Sequence, residues 1–277
     1  MGLFCRLPAS ASTPFSRLAV GEKVTLDTPM SVDANSGNSP DQPAGQNREL
    51  TQQIRQMRRS YGEAGLHEST VATDPIAQFT AWLKEAAENP YIVEANAMVL
   101  STIESYQSET GPALRPASRT VLLKGLDGQH GDEFTFFTNY ESAKALQIAA
   151  HSEVSLLFPW YAMERQVIVK GFATKVSQQV TDEYFASRPC GSKIGAWASS
   201  QSRELASREE LEAAYKNFAQ QFPEGSVVPT PPHWGGYCVR PIGIEFWQGR
   251  YSRLHDRLIF TREHGAGSSW EIGRLYP

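Results

Sequence analysis

Apolar positions along this chain follow two periods, and the switch between them divides it into elements. Ile76, Phe79, Leu83 and Ala86 recur at three- and four-residue intervals, which lines them along one face of a helix over residues 75–89. Asp74 offers a capping carboxylate, Pro75 fits the first helical position, and Asn89-Pro90 ends the run. Downstream the period shortens. Residues 97–103 and 117–124 are apolar or β-branched runs, which read as strands, and the polar, Gly- and Pro-containing stretch from Glu104 to Pro116 reads as the loop between them. Residues 133–138, 154–160 and 166–176 continue the strand pattern, with one short helix over 142–150. A helix opens at Thr181 and stops at Pro189, and a second covers 192–198. Ser207 and Glu210 form a capping-box pair for a helix to Phe222 with Leu211, Ala214, Tyr215 and Phe218 on one face. Strands over 237–246, 257–262 and 270–275 close the chain. Sequential strands with hairpin-length connections predict a mainly β architecture with flanking helices, an antiparallel sheet curled into a barrel. No GxGxxG follows a strand, which argues against a dinucleotide-binding parallel sheet.

The first 50 residues depart from both periods. They are rich in Ser, Pro, Asn, Gly and Gln, and so little apolar surface cannot offset the entropy of ordering the segment. A disordered tail over 1–50 and a globular domain over 51–277 are expected. Residues 1–21 hold Arg6 and Arg17 but no acid before Glu22, a composition that suits an organelle transit peptide as well as an ordinary tail. Net charge of −4 and a pI near 5.9 exclude a general nucleic-acid binder or a polybasic membrane-surface protein. No run approaches the roughly 20 apolar residues of a membrane span. Cys5, Cys190 and Cys238 are odd in number and lack CxxC or Cys/His pairing, so neither a disulfide framework nor a metal site is expected, and a reducing, cytoplasmic setting is the simpler reading.

Any anion site must then be a local cluster, and several are present. Glu245 to Arg257 packs an aromatic pair, a glycine turn, three arginines and His255 into thirteen residues; buried guanidinium and imidazole groups need partners, so this stretch reads as a loop gripping something flat and something anionic. Arg119 and Lys124 stand at the ends of a short apolar strand, on opposite faces if it is regular. Asn139 to Lys144 passes from a strand into a helix N-terminus, where free N–H groups, Ser142 and Lys144 form either a phosphate cradle or an ordinary cap. Tyr184, Arg188 and Ser192 are four residues apart and share a side if helical geometry persists past Pro189. Met57 to Gly62 sets two arginines beside Tyr61, either a solvated helix end or a segment that folds over an anionic ligand. There is no HExxH, GxSxG or P-loop lysine. Chemistry here would need a cofactor, and aromatic residues with scattered arginines suit a flat phosphorylated one.

The residues resemble the pyridoxine (pyridoxamine) 5'-phosphate oxidase family. The resemblance rests on Arg119-Thr120-Val121-Leu122-Leu123-Lys124, Phe137-Thr138-Asn139, Arg165-Gln166-Val167, Ser187-Arg188-Pro189 with Ser192-Lys193-Ile194-Gly195-Ala196, Gln201-Ser202, Trp234-Gly235-Gly236, and Phe246-Trp247-Gln248-Gly249 followed by Arg253-Leu254-His255-Asp256-Arg257. These motifs run in order over roughly residues 55–277. What the resemblance implies is a split β-barrel binding FMN at a homodimer interface, with a C-terminal dimerisation region, that converts pyridoxine or pyridoxamine 5'-phosphate to pyridoxal 5'-phosphate with O2 as acceptor and H2O2 as product. Arg119 and Lys144 would neutralise the FMN phosphate, and Thr120, Val121, Leu122, Phe137 and Thr138 would line the flavin. Gln166, Gln201, Ser202, Trp247 and Arg257 would complete that site, some of them from the partner chain. Lys124, Tyr184, Arg188 and Ser192 would bind the substrate phosphate. Arg253, Leu254 and His255 would lie at the substrate ring, with Arg253 and His255 as the catalytic pair, and Arg58, Arg59, Ser60 and Tyr61 would close the site as a lid.

One departure matters. Many members of that family carry a basic residue where this chain has Ala143, and that residue contacts the FMN phosphate; a weaker grip, by a charge-assisted hydrogen bond of about 1.5–3 kcal/mol, is the expectation. Two other readings remain open at this level: a split-barrel reductase or haem-binding relative, and a non-enzymatic pyridoxal phosphate carrier. The set Lys124, Tyr184, Arg188, Ser192, Arg253 and His255, which such relatives need not keep, favours the oxidase.

Overall fold

In a computed structural model, residues 43–57, 60–62, 64–126, 131–263 and 269–277 are described. They fall into two compact units divided between residues 59 and 60. In the first, a helix α1 spans Pro43–Gln56, so helical structure crosses the boundary expected at residue 50. Glu, Leu, Gln and Arg are good helix formers, and a polarity that argued against a buried core did not argue against a helix.

The second unit is built on strands β1 (Ala97–Ser108), β2 (Gly111–Leu122), β3 (Phe134–Asn139), β4 (Glu153–Trp160), β5 (Arg165–Lys175), β6 (Trp234–Gln248), β7 (Asp256–Thr261) and β8 (Glu271–Leu275). They form one antiparallel sheet in the order β2-β1-β4-β5-β6-β7-β8, with β3 on β6. The long β6 serves two neighbours on one edge: Trp234–Val239 pairs with β3, and Gly243–Gln248 pairs with β7. Between those halves the register with β5 slips at Lys170/Gly171, a bulge that bends the sheet. Gly171 is required there, because a Cβ would collide with the Arg240 carbonyl.

Alternation decides which face becomes the core. Leu156, Phe158, Val167, Val169, Ile244, Phe246, Leu258 and Phe260 are buried, while their sequence neighbours are mostly half-exposed. Helix α2 (Pro75–Glu88) lies on that inner face, capped by Asp74 as expected. Phe79 is wholly buried among Phe134, Phe158 and Trp160, and the Trp82 ring meets Phe246 edge-on; burying each such side chain contributes about 1.5–3 kcal/mol.

Two expectations need correction. Glu104 to Pro116 is no loop: β1 and β2 run on through it as a ribbon that turns at Gly111, whose φ is 118°. Its outer residues face water on both sides, so no alternation of polarity marks them, and pairs such as Arg115 with Glu104 replace apolar contacts. Likewise the helix α4 begins three residues before Thr181, spanning Gln178–Ser187, because Ser177 accepts the Val180 N–H and is the cap. Helices α3 (Ala143–Ala150), α5 (Cys190–Ala198) and α6 (Arg208–Gln221) fall where the periodicity put them. On α6, Leu211, Ala214 and Phe218 are half-buried but Tyr215 stays exposed. Among the described residues no helix is long and apolar enough to cross a membrane.

Candidate active site

A cavity of about 790 Å³ opens between the end of β2, the end of β3, the start of α3 and the α4–α5 corner. Thr120, Val121, Leu122, Lys124, Phe137, Thr138, Lys144, Tyr184, Arg188, Ser192 and Gln201 line it. Most of the residues expected to hold an FMN phosphate and a substrate phosphate thus come together in one chamber. Ser202, in a left-handed turn with φ of 72°, follows Gln201 but does not line it.

Two cationic centres stand in the cavity region. In the first, the Lys144 ammonium donates to Thr138 Oγ1 (3.1 Å), Ser142 Oγ (3.3 Å) and Gln201 Oε1 (2.9 Å). Burial, and then the neighbouring Arg119, pull its pKa down to about 8. The Arg119 guanidinium is held by Gln147 Oε1 (2.8 Å), Thr102 and the carbonyls of Leu100 and Ala117. Burial depresses its pKa too. Two cations that repel each other and are disfavoured by desolvation gain when an anion arrives beside them, although Arg119 itself does not line the cavity. Ala143 starts α3 without adding a third charge.

The second centre is Arg188. Its guanidinium lies 4.6 Å over the Trp234 ring, and Trp234 stacks on Phe137, which stacks on Tyr184 at 4.0 Å. Among the described residues Nη1 of Arg188 is buried without a hydrogen-bond partner, and burial lowers the pKa of the group. A buried donor of this kind costs about 1–3 kcal/mol unless something accepts from it. Helical continuity past Pro189 is not how Tyr184, Arg188 and Ser192 meet: α4 stops at Ser187, Arg188 is extended, and a new helix starts at Cys190. Proline forces the corner, and the corner aims all three into the cavity. Lys124 is likewise beyond the end of β2, not on one of its faces; it borders this cavity and an adjoining one lined by Glu183 and Arg240.

The remaining expected residues gather elsewhere. Gln166 pairs with Trp247, and Trp247 with Arg257, across β5, β6 and β7. The Tyr61 ring meets Trp247 at 5.9 Å and His255 at 5.3 Å, both edge-on. Arg257 is gripped by both carboxylate oxygens of Glu245, at 2.7 and 3.1 Å. Ser252 and Arg253 both adopt left-handed backbone, with φ of 55° and 65°, a strained pair of the sort that marks a constrained loop. That bend puts the Arg253 guanidinium 5.9 Å from the Tyr61 ring, while Leu254 points out and is 69% exposed. The N–H of Arg250 donates to His255 Nδ1 at 3.0 Å, so the imidazole keeps its own proton on Nε2. Burial and Arg253 lower its pKa, which favours that neutral form. Ser60 is exposed, and Arg58 and Arg59 lie outside the described residues.

Strand residues from both groups share one face of the sheet. Thr120, Val99, Leu157, Ile168, Glu245 and Ile259 align in register across six strands, and Gln166, Trp247 and Arg257 form the neighbouring row. Four strand steps separate Thr120 from Trp247, about 19 Å along the sheet at ~4.8 Å each. Between them runs the half-exposed apolar row Val99, Leu157 and Ile168.

Three partners were not legible in the sequence. Gln147 fixes Arg119, Trp234 carries Arg188, and Glu164 bridges Gly62 and Gly249. For Trp234 the family motif marked the position without its role; for the other two only long-range pairing reveals them.

A bent antiparallel sheet with paired cationic centres on its helical flank and a strained arginine loop at its far strands defines a split-barrel protein. Comparison with known proteins takes this further. Residues 83–222 match the family model described as pyridoxamine 5'-phosphate oxidase, and residues 234–277 match pyridoxine 5'-phosphate oxidase C-terminal dimerisation region. The chain is 47% identical over 225 residues to the pyridoxine/pyridoxamine 5'-phosphate oxidase of Cupriavidus metallidurans, covering 81% of this chain and 99% of that one. It is 50% identical over 221 residues to the protein of the same name from Burkholderia ambifaria, covering 80% and 97%. Among solved structures, PhzG from Burkholderia lata 383, in complex with tetrahydrophenazine-1-carboxylic acid, aligns with a TM-score of 0.67 at 26% identity over 79% of this chain and all of that one. An FMN binding protein from Nostoc punctiforme shares the fold, with a TM-score of 0.56 at 17% identity over 75% of this chain and all of that one. The chain belongs to the pyridoxine/pyridoxamine 5'-phosphate oxidase family and is an oxidoreductase of that family.

Proposed function

We propose that this protein oxidises pyridoxine 5'-phosphate or pyridoxamine 5'-phosphate to pyridoxal 5'-phosphate, using FMN and dioxygen and releasing H2O2. The observation that carries this reading is the pair of separate anion sites bordering one cavity, the Lys144/Arg119 centre and the buried, unsatisfied Nη1 of Arg188. A reaction between two phosphorylated partners needs two such grips; a haem carrier or a single-ligand store needs one. FMN fits these residues. Lys144 and Arg119 supply compensating charge for its phosphate, and Thr120 to Leu122, Phe137, Thr138 and Gln201 supply walls and hydrogen-bonding groups for its ring. When bound, it supplies the hydride acceptor for the substrate's C4' carbon and passes the electrons to dioxygen.

Everything else is asked of the protein. Lys124, Tyr184, Arg188 and Ser192 anchor the substrate phosphate away from the reacting bond, so binding energy is converted into orientation. Arg253 stabilises negative charge developing on the substrate oxygen. His255, neutral and holding its proton on Nε2, faces the pyridine ring as a hydrogen-bond donor, and Tyr61 and Trp247 exclude water from that side.

A homodimer completes the site in this reading. Gln166, Trp247 and Arg257 stand three to five strands from β2 on the sheet face of Thr120, with an apolar row between, and Arg253 and His255 lie on the loop that joins β6 to β7. A second copy related by a two-fold axis lays its arginine loop over this chain's cavity and buries that row on both sides. The match of residues 234–277 to a dimerisation region supports the arrangement.

The proposal is tested by adding pyridoxine 5'-phosphate anaerobically to FMN-loaded protein. Bleaching of the flavin, then peroxide on admitting air, is expected; ligand binding without bleaching would leave the carrier reading instead. The depressed pKa of Lys144 adds a pH dependence. Its positive charge is complete below about 8, and a bound phosphate raises the pKa, so FMN affinity should hold steady up to that pH. Above it, affinity should fall by as much as roughly tenfold per pH unit. Fluorescence titration of apoprotein from pH 7 to 9.5 reads this, and Lys144→Met should flatten the decline.

A further inference from the structure

Glu164, which bridges Gly62 and Gly249, occupies the turn between β4 and β5 and belongs to neither the expected cofactor set nor the expected substrate set. Its backbone is left-handed, with φ of 55°, a conformation an unconstrained glutamate avoids. Its side chain crosses to the segment before α2, where Oε2 accepts the Gly62 N–H at 2.7 Å. Its carbonyl accepts the Gly249 N–H, also at 2.7 Å, and the Gln248 side-chain amide at 3.3 Å. One residue therefore ties the backbone next to Tyr61 to the backbone that opens the arginine loop. The fit leaves no room: a Cβ at Gly249 would stand 2.8 Å from Tyr61 Cδ1 and 3.1 Å from Glu164 Cβ. The same Tyr61 ring meets Trp247 and His255 edge-on.

We infer that Glu164 is a positioning residue that clamps Tyr61 against His255 and Trp247, so that Tyr61, Gly62 and the arginine loop are held as one body. Neither tie touches the cavity at Lys144. The clamp therefore acts on Tyr61 and the arginine loop and leaves the grip on the FMN phosphate at Lys144 alone. A charge-assisted acceptor at Gly62 is the stronger of its side-chain contributions, while the left-handed turn sets the direction from which that carboxylate reaches. This inference rests on the reading that Tyr61, Arg253 and His255 face the substrate.

Two variants separate the carboxylate from the turn. Glu164→Gly keeps the left-handed turn at no steric cost and removes the acceptor; Glu164→Gln keeps an acceptor oxygen at the same reach. In FMN-loaded protein, Glu164→Gly should weaken pyridoxal 5'-phosphate binding about tenfold, the loss of one charge-assisted hydrogen bond. It should also raise KM more than it lowers kcat and speed hydrogen exchange at the Gly62 amide, with FMN affinity unchanged. Glu164→Gln should restore most of the ligand affinity and the Gly62 protection. Wild-type affinity and exchange in Glu164→Gly would overturn the clamp, as would a Gln variant no better than the Gly one. Failure of the oxidase reading looks different: wild-type protein would then form no peroxide, whereas Gly62 exchange and pyridoxal 5'-phosphate affinity would still decide for or against the clamp.

Discussion

Arg188→Ala is expected to lower kcat/KM for pyridoxine 5'-phosphate roughly a hundredfold, almost entirely through KM, and to leave FMN affinity unchanged. The magnitude follows from removing a charge-assisted, partly desolvated contact, about 3 kcal/mol. Its direction follows from geometry: Arg188 is carried by Trp234 on the α4–α5 corner, whereas the Lys144 centre is held by Thr138, Ser142 and Gln201. The free protein should respond in the opposite sense. Nη1 of Arg188 is buried and unsatisfied there, so the Ala variant should melt no lower than wild type without ligand and lose the stabilisation that substrate confers. Arg188→Lys should recover little, because an ammonium has neither the planar stacking on Trp234 nor the forked donors. Steady-state kinetics with thermal melts in both ligand states would check this; an equal loss of FMN binding would show that the two anion sites are not separate.

Arg253→Ala should lower kcat about a hundredfold, with a smaller change in KM and none in FMN affinity, as expected when a donor to developing charge is removed. The backbone does not confound the test. Arg253 sits at φ of 65°, where Ala carries the same Cβ penalty as Arg, so the comparison isolates the guanidinium. Stopped-flow measurement of anaerobic flavin reduction is the direct readout. Should FMN affinity fall while the reduction rate holds, the arginine loop would belong to the cofactor and not to the substrate.

Burial pattern explains which parts of this molecule were legible from its residues. Strands β3 to β7 and helix α2 alternate or repeat because one face of each is in the core, and their limits were read to within a few residues. The outer β1–β2 ribbon reads as a loop in the sequence because neither of its faces is buried beyond Glu104, and without burial there is no period to see. The start of α4 reads as Thr181 because nothing local marks Ser177 as the residue that accepts the Val180 N–H. At the site, family motifs brought out the residue types, but not the means by which they are held. Gln147 under Arg119 and Glu164 beside Gly62 lie 28 and 102 residues from their partners, and no local pattern encodes such a pairing. Composition also gave no hint that Arg188 would end with an unsatisfied donor. That fact depends on the corner imposed by Pro189.

The separation of the two groups along one sheet face has a consequence for genetics. In the proposed dimer, Arg188 of one subunit and Arg253 of the other serve the same active centre, so the two substitutions fall in different halves of it. Subunits carrying Arg188→Ala alone, or Arg253→Ala alone, assemble only into dimers with two impaired centres. Co-expressed, they also form mixed dimers in which one centre collects both lesions and the other collects neither. Random assortment would return about a quarter of wild-type turnover: intragenic complementation between two nearly inactive alleles.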